Sequence, residues 1–182
     1  MKVMLVNGSS HLQGTTMTAL EEMIKVFHSE EVETEVIQLG GKPIADCLQC
    51  NVCQKTKQCV QKDDMQAIYS KMLEVKVIVF ASPVYFYTFN GSMKLLIDRT
   101  FAIEKTIHDK DFYLLTTGLA PEESYFRIIK DTFQKYIDCL RVGGNRFVDY
   151  VLGFQTGNKD DIEKTYALEK AYNMAKEIKI NE

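Results

Sequence analysis

No stretch of the sequence approaches the roughly 20 apolar residues of a membrane span. The apolar run within Met1-Lys2-Val3-Met4-Leu5-Val6-Asn7-Gly8 is also far too short for a signal peptide. The expectation is a cytoplasmic chain that engages no membrane. Charge of one sign is missing as well. Twenty-two Lys plus Arg against 25 Asp plus Glu give a formal charge of -3 without long runs, which removes both a basic footprint for nucleic acid and a disordered acidic tail. There is no internal repeat, no low-complexity stretch and no linker. With 182 residues, 46% of them hydrophobic, the whole of 1–182 reads as a single domain able to bury a proper core.

Cysteine is scarce but crowded. Four of the five fall in one cysteine-rich loop, 43–62, as Cys47-x2-Cys50-x2-Cys53-x5-Cys59. In a reducing compartment such a group binds metal or does chemistry more often than it forms disulfides, and an odd total argues against a purely disulfide framework. Thiolates this close can converge on one inorganic centre. Structural zinc, held by sulfurs at about 2.3 Å, usually joins two Cys-x2-Cys knuckles from separate segments, whereas here all four share one loop, a spacing that resembles ferredoxin-type ligation of a [4Fe–4S] cube. Three outcomes stay open: iron–sulfur, zinc or another metal, and an unoccupied loop of thiols or disulfides. Lys42, Lys55, Lys57 and Lys62 flank the quartet and either offset its charge or form a solvated surface. Cys139 lies in an amphipathic pattern and is expected to be a small buried hydrophobe.

Strand-length apolar runs alternate with longer helical patterns from end to end, the mark of βαβ units around a parallel sheet. Five strands are expected at Val3–Val6, Glu35–Leu39, Val75–Ala81, Phe112–Thr116 and Arg146–Leu152. The second and fifth, interrupted by polar residues, suit sheet edges. Helices are expected over Thr16–Phe27, Met65–Leu73, Ser92–Ala102, Glu122–Leu140 and Ile162–Ile178, with Thr15 and Asp63 as N-caps. Gly143-Gly144 is expected to end the fourth helix, and residues Asn158 to Asp161 to cap the last. The fold class that follows is α/β, a three-layer flavodoxin-like sandwich on a five-stranded parallel sheet of order 2-1-3-4-5. Ligands of such sheets bind beyond the carboxyl ends of the strands, where the strand order reverses.

The segment after the first strand, Asn7-Gly8-Ser9-Ser10-His11-Leu12-Gln13-Gly14-Thr15-Thr16, offers hydroxyls, glycines and the free N–H groups of a helix start, which together suit a phosphate. It lacks the lysine of a triphosphate loop and the Gly-x-Gly-x-x-Gly of a pyrophosphate site, so a terminal monophosphate fits better. His11 stands beside it, either facing the phosphate or simply exposed. Acidic residues for a phosphoacceptor site and a Cys–Arg pair for a phosphatase are both missing from this loop. After the third strand, Ser82-Pro83-Val84-Tyr85-Phe86-Tyr87-Thr88-Phe89-Asn90 places four aromatics in five residues at the mouth of the sheet. Such a segment calls for a cover, either a planar ligand or a protein partner. A monophosphate cradle beside an aromatic platform describes flavin mononucleotide (FMN).

The combination of Val-Asn-Gly-Ser-Ser…Gly-Thr-Thr, Ser82-Pro83-Val84-Tyr85-Phe86 and Asn90-Gly91-Ser92-Met93-Lys94-Leu95-Leu96-Ile97-Asp98-Arg99 resembles the NADPH-dependent FMN reductase family. The quartet followed by Val60…Asp63-Asp64-Met65 is similar to its iron–sulfur flavoprotein branch. The resemblance implies that Ser9, Ser10, Thr15 and Thr16 hold the FMN phosphate, with His11 and Gly14 among the cofactor-binding residues of the same loop. Pro83, Val84, Tyr85, Phe86 and Asn90 would then surround the ring, and Thr116, Thr117 and Gly118 form a third flavin loop. It implies a [4Fe–4S] cluster on Cys47, Cys50, Cys53 and Cys59, NAD(P)H or a protein as electron donor, a small-molecule or protein acceptor, and a homodimer or homotetramer. The family's first loop often has Ser-Pro-Arg, where this chain has Ser10-His11. Asp98-Arg99 reads as a helix-borne pair that supports the loop. The expected function is FMN-dependent oxidoreduction, with the flavin rather than a side chain carrying the chemistry. The alternative is a non-enzymatic electron carrier or redox- or metal-sensing module with an empty or zinc-bound cysteine loop.

Overall fold

A computed structural model describes residues 2–140 and 143–178. Among the described residues there are six strands: β1 (Lys2–Asn7), β2 (Glu33–Gln38), β3 (Val77–Tyr85), β4 (Thr88–Phe89), β5 (Asp111–Thr117) and β6 (Arg146–Gly153). The main path runs β2-β1-β3-β5-β6 and is parallel throughout, with β4 pairing antiparallel to β3. Counting the five long strands alone, this is the expected order. The two strands with interrupted apolar patterns do lie at the edges, because an edge strand buries less of each residue and tolerates polar ones.

The helices are α1 (Thr15–Ser29), α2 (Cys53–Thr56), α3 (Met65–Glu74), α4 (Gly91–Arg99), α5 (Arg127–Cys139) and α6 (Ala167–Glu177). Alternation along each strand assigns side chains to two cores. In β1, Val3 and Leu5 join Ala19, Leu20, Met23 and Phe27 of α1 and Ala171 and Met174 of α6. Met4 and Val6 face the other way, with Ile68 and Met72 of α3, Met93 and Leu96 of α4, and Phe133 and Ile137 of α5. Each fully buried Val, Leu, Ile, Met or Phe side chain among them contributes about 1.5–3 kcal/mol. No helix among the described residues is long and apolar enough to cross a membrane.

Several boundaries differ from expectation. The cap of α1 is Gly14 rather than Thr15. The cap of α3 is Asp64 rather than Asp63, although Asp63 Oδ1 accepts from Met65 N at 3.2 Å. The last three expected helices are each broken by a 3₁₀ turn, at Thr100–Ala102, Glu123–Phe126 and Lys159–Lys164, where apolar spacing persists but the backbone tightens. Asn158 and Asp161 therefore cap the last of these turns and not α6: the Asp161 carboxylate accepts from Asn158 N at 2.8 Å. Cys139 is exposed at the end of α5, not buried. The core face of that helix is built by Ile129, Phe133 and Ile137 at spacings of four, and position 139 falls off that stripe.

Candidate functional site

Four strands, β1, β3, β5 and β6, end at one rim, and the segments leaving them enclose a cleft of about 1020 Å³ lined by residues 9–16, 83–85, 117–119 and 156–159. Its floor is the start of α1. Gly14 offers no side-chain cap and the first turn contains no acidic residue, so the helix N-terminus keeps both free N–H groups and uncompensated positive potential, the combination that attracts an anion. Thr16 Oγ1 lies 2.7 Å, and Thr15 Oγ1 3.2 Å, from Thr117 Oγ1 at the end of β5. The first and third loops are thus joined through hydroxyls.

The first loop is held from behind. Asn7 Oδ1 accepts from Ser9 N at 3.0 Å, while Asn7 Nδ2 donates to Gln38 Oε1 at 2.9 Å, and Gln38 in turn donates to the Ser9 carbonyl. Ser9 Oγ accepts from His11 N at 3.1 Å, which closes a small turn. Asn90 is buried and spans two loops. Its Nδ2 donates to the Gly8 carbonyl at 2.5 Å, its Oδ1 meets Ser82 Oγ at 3.2 Å, and the same Oδ1 caps α4 by accepting from Met93 N at 3.3 Å.

Of the expected cofactor residues, the cleft is lined by Ser9, Ser10, His11, Gly14, Thr15, Thr16, Pro83, Val84, Tyr85, Thr117 and Gly118. Three stand elsewhere. Asn90 lies beneath the loops as a bracket, Phe86 projects 98% exposed beyond the rim, and Thr116 is buried with no partner for its Oγ1. The aromatic segment is also more ordered than a loop. β3 continues through Tyr85, and a two-residue turn at Phe86 (φ 48°) and Tyr87 (φ 68°) leads into β4, with Tyr87 stacked on Tyr125 at 6.2 Å. The loop after β6 was missed as part of the site. Thr156 donates through N and Oγ1 to the Gly118 carbonyl at 2.9 and 3.2 Å, carrying Asn158 and Lys159 to the cleft. The rule that ligands sit at strand carboxyl ends could have flagged it.

The cysteines form a second place. Cys47, Cys50, Cys53 and Cys59 line one cavity of about 20 Å³ together with Arg99, Phe101 and Ala102. Left-handed backbone at Gln49 (φ 53°), Asn51 (φ 56°) and Lys57 (φ 59°) winds the segment so tightly that residues three apart face one space. Burial pushes the Cys53 thiol up, and the nearby Cys59, Cys47 and Cys50 sulfurs add to the shift. Thiolates so grouped need a cation. Among the described residues no three His, Cys, Asp or Glu groups are set to share one metal ion, the convergence that a single zinc would need. The loop is anchored by Arg99, buried at the end of α4, which pairs with Asp63 at 2.6 and 3.0 Å and donates to the Ala45 carbonyl at 2.7 Å. Asp98 pairs instead with Lys94. The quartet packs at the end of α4 that is remote from Asn90 and the cleft.

Residues 1–128 match the family model for NADPH-dependent FMN reductases. An iron–sulfur flavoprotein of Methanocaldococcus jannaschii is 36% identical over 100 residues, covering 55% of this chain and 52% of that protein. One from Archaeoglobus fulgidus is 33% identical over 115 residues, covering 63% and 57%. The chain thus spans about half the length of the curated relatives it matches. Among solved structures, an NAD(P)H:quinone oxidoreductase from Methanothermobacter marburgensis superimposes with a TM-score of 0.78 at 13% identity, covering 100% of this chain and 98% of that one, a likeness of fold.

Proposed function

Since the chain belongs to the NADPH-dependent FMN reductase family, we propose that it is an FMN-dependent oxidoreductase whose flavin occupies the cleft at the carboxyl ends of β1, β3 and β5. The observation that carries this reading is the open start of α1, with hydroxyls at Thr15 and Thr16 and no carboxylate in its first turn, set across one cleft from Pro83, Val84 and Tyr85. A phosphate dianion suits the first and a planar ring the second. Ser9, Ser10, Thr15 and Thr16 would hold the phosphate, with His11 and Gly14 shaping that loop. Pro83 to Tyr85 with Thr117 and Gly118 would border the ring, with Phe86 projecting beyond the rim and the buried Thr116 behind the lining. Asn90 acts from beneath by fixing the Gly8 and Ser82 backbones. FMN, when bound, supplies hydride and single-electron exchange. The chain's own tasks are to orient the ring, exclude water and leave room for NAD(P)H and an acceptor.

The same reading gives the quartet to a [4Fe–4S] cluster on Cys47, Cys50, Cys53 and Cys59. It is supported by four thiols on one cavity and by relatives named iron–sulfur flavoproteins. Within one chain the cluster site and the cleft lie toward opposite ends of α4, a helix of nine residues and roughly 13 Å in length. The exposed Tyr85, Phe86, Tyr87, Leu119 and Tyr125 around the cleft mouth favour a dimer or tetramer that covers them. The test is anaerobic purification, flavin and iron analysis, and steady NADPH oxidation with a quinone or ferric acceptor. Failure to take up FMN refutes the assignment. FMN uptake without turnover, together with reduction by a protein donor, shifts the reading to an electron carrier.

A further inference from the structure

Arg99 makes more contacts than an anchor for a loop requires. It is the largest of the fully buried side chains, 1% exposed, and its own carbonyl accepts from Tyr69 OH at 2.8 Å, so both its backbone and its head are fixed. Two of its nitrogens complete a bidentate pair with Asp63, which would satisfy an ordinary buried ion pair. A further N–H, on Nη2, reaches Cys59 Sγ at 3.5 Å. Its Nε is buried with no hydrogen-bond partner, although the residue lines the cysteine cavity. Among the described residues no other side chain donates to a cysteine sulfur.

A guanidinium is a rigid fork that stays charged, and its donors cannot be redirected separately. Once Asp63 fixes one edge, the remaining N–H groups must face whatever lies on the other side. Here that side holds Cys59 Sγ and the cavity that all four cysteines line. Buried N–H groups are seldom left unpaired, and donors around an iron–sulfur centre tune it by favouring its more negative, reduced state.

We propose that Arg99 is the positioning residue of the cysteine site. It holds Cys59 through an N–H to sulfur contact, and its charge and Nε–H raise the reduction potential of the iron–sulfur centre that the quartet binds. The proposal rests on the iron–sulfur reading given above. Lys at this place would keep the charge but lose the fork. The pair of changes Arg99→Gln with Asp63→Asn would remove both charges together and leave no lone buried ion.

The experiment uses the full chain, loaded anaerobically with FMN and iron and sulfide, and follows the centre by redox titration with electron paramagnetic resonance. FMN uptake and thermal melting serve as controls for folding. In R99K and in the R99Q/D63N double variant the midpoint is expected to fall by an amount on the order of tenfold in the reduction equilibrium, about 59 mV for a one-electron couple. A variant that binds FMN but holds no iron also supports the assignment, because the thiols are then present and unheld. Iron-loaded variants with the wild-type midpoint overturn it. Should neither variant fold, wild-type protein labelled with ¹⁵N-arginine decides: a ¹⁵N coupling to the reduced centre supports the contact, and its absence overturns it. If the wild-type protein takes up no iron under strict anaerobiosis, the iron–sulfur reading falls and this inference with it, while the FMN assignment stands.

Discussion

Gly40 tests the phosphate cradle from outside it. The residue follows β2 and is not itself part of the cleft lining, yet a Cβ built on it would lie 2.7 Å from Ser10 Cα and 3.0 Å from the Ser9 carbonyl oxygen. Both are backbone atoms of the first loop, so neither can rotate away, and the third neighbour, Gln38 Nε2 at 3.1 Å, is itself engaged with that loop. In Gly40→Ala the loop must therefore shift by several tenths of an ångström. Overpacking of this kind typically costs about 1–3 kcal/mol. If the free protein relaxes, most of that cost reappears when the loop must return to grip a phosphate, weakening FMN binding by roughly 5- to 150-fold at 1.4 kcal/mol per tenfold. Riboflavin, which shares the ring but has no phosphate, should lose much less. Titration by flavin fluorescence quenching gives both affinities, and thermal melting shows that the variant is folded. A folded variant with unchanged FMN affinity refutes the packing argument. Equal losses for FMN and riboflavin would place the phosphate elsewhere.

Thr16→Val keeps the shape of a side chain whose hydroxyl meets Thr117 at 2.7 Å. The loss of one charge-assisted bond should weaken FMN roughly ten- to hundredfold and leave riboflavin nearly unchanged in the same titration. Phe86→Asn replaces a 98% exposed aromatic at φ 48° by a residue that tolerates left-handed backbone, which costs other side chains roughly 1–2 kcal/mol. The melting temperature should rise while NADPH turnover falls, and an unchanged or lower melting point counts against the strain. Cys50→Ser should abolish or sharply lower bound iron without altering flavin stoichiometry, as read by metal and flavin analysis. For pH, the Lys2 and Lys71 ammonium groups hold the Glu35 carboxyl below the usual carboxylate range. Its contribution is therefore present above the unfolded value near 4.5 and disappears as pH falls through the lower folded value. Denaturant melts of wild type and Glu35→Gln should differ at pH 7 and converge in acid, more weakly at high salt because these groups are partly exposed.

The long strands and the order of the sheet were legible because a buried parallel strand is an unbroken apolar run, as in Val77–Ala81, and such runs survive without knowledge of neighbours. Helix ends were less so. Ser92–Ala102 and Glu122–Leu140 keep apolar spacing through a 3₁₀ turn, and the pattern cannot register the tighter backbone. Cys139 shows the same limit, since three and four residue spacings define a stripe only when its angular position is known. The aromatic segment read as an exposed loop, but pairing between Val84 and Phe89 and between Tyr85 and Thr88 draws it into the sheet. That pairing depends on two residues accepting positive φ, which no composition rule anticipates for Phe and Tyr.

By itself the sequence determined the chemistry available: hydroxyls and no carboxylate where the first helix begins, aromatics after the third strand, and four thiols in one short segment. These are local facts, set by residue type and by spacings of a few bonds. The tertiary structure decided which of them share a space. Thr117 meets Thr16 across 101 residues, Asn90 ties Gly8 to the start of α4, and Thr156 brings the last loop to the cleft, all because parallel strands end at one rim. The same packing placed the quartet against Arg99, at the far end of α4 from that rim. Distances between remote residues follow from how two faces of a sheet are covered, and a short stretch of sequence has no way to encode them.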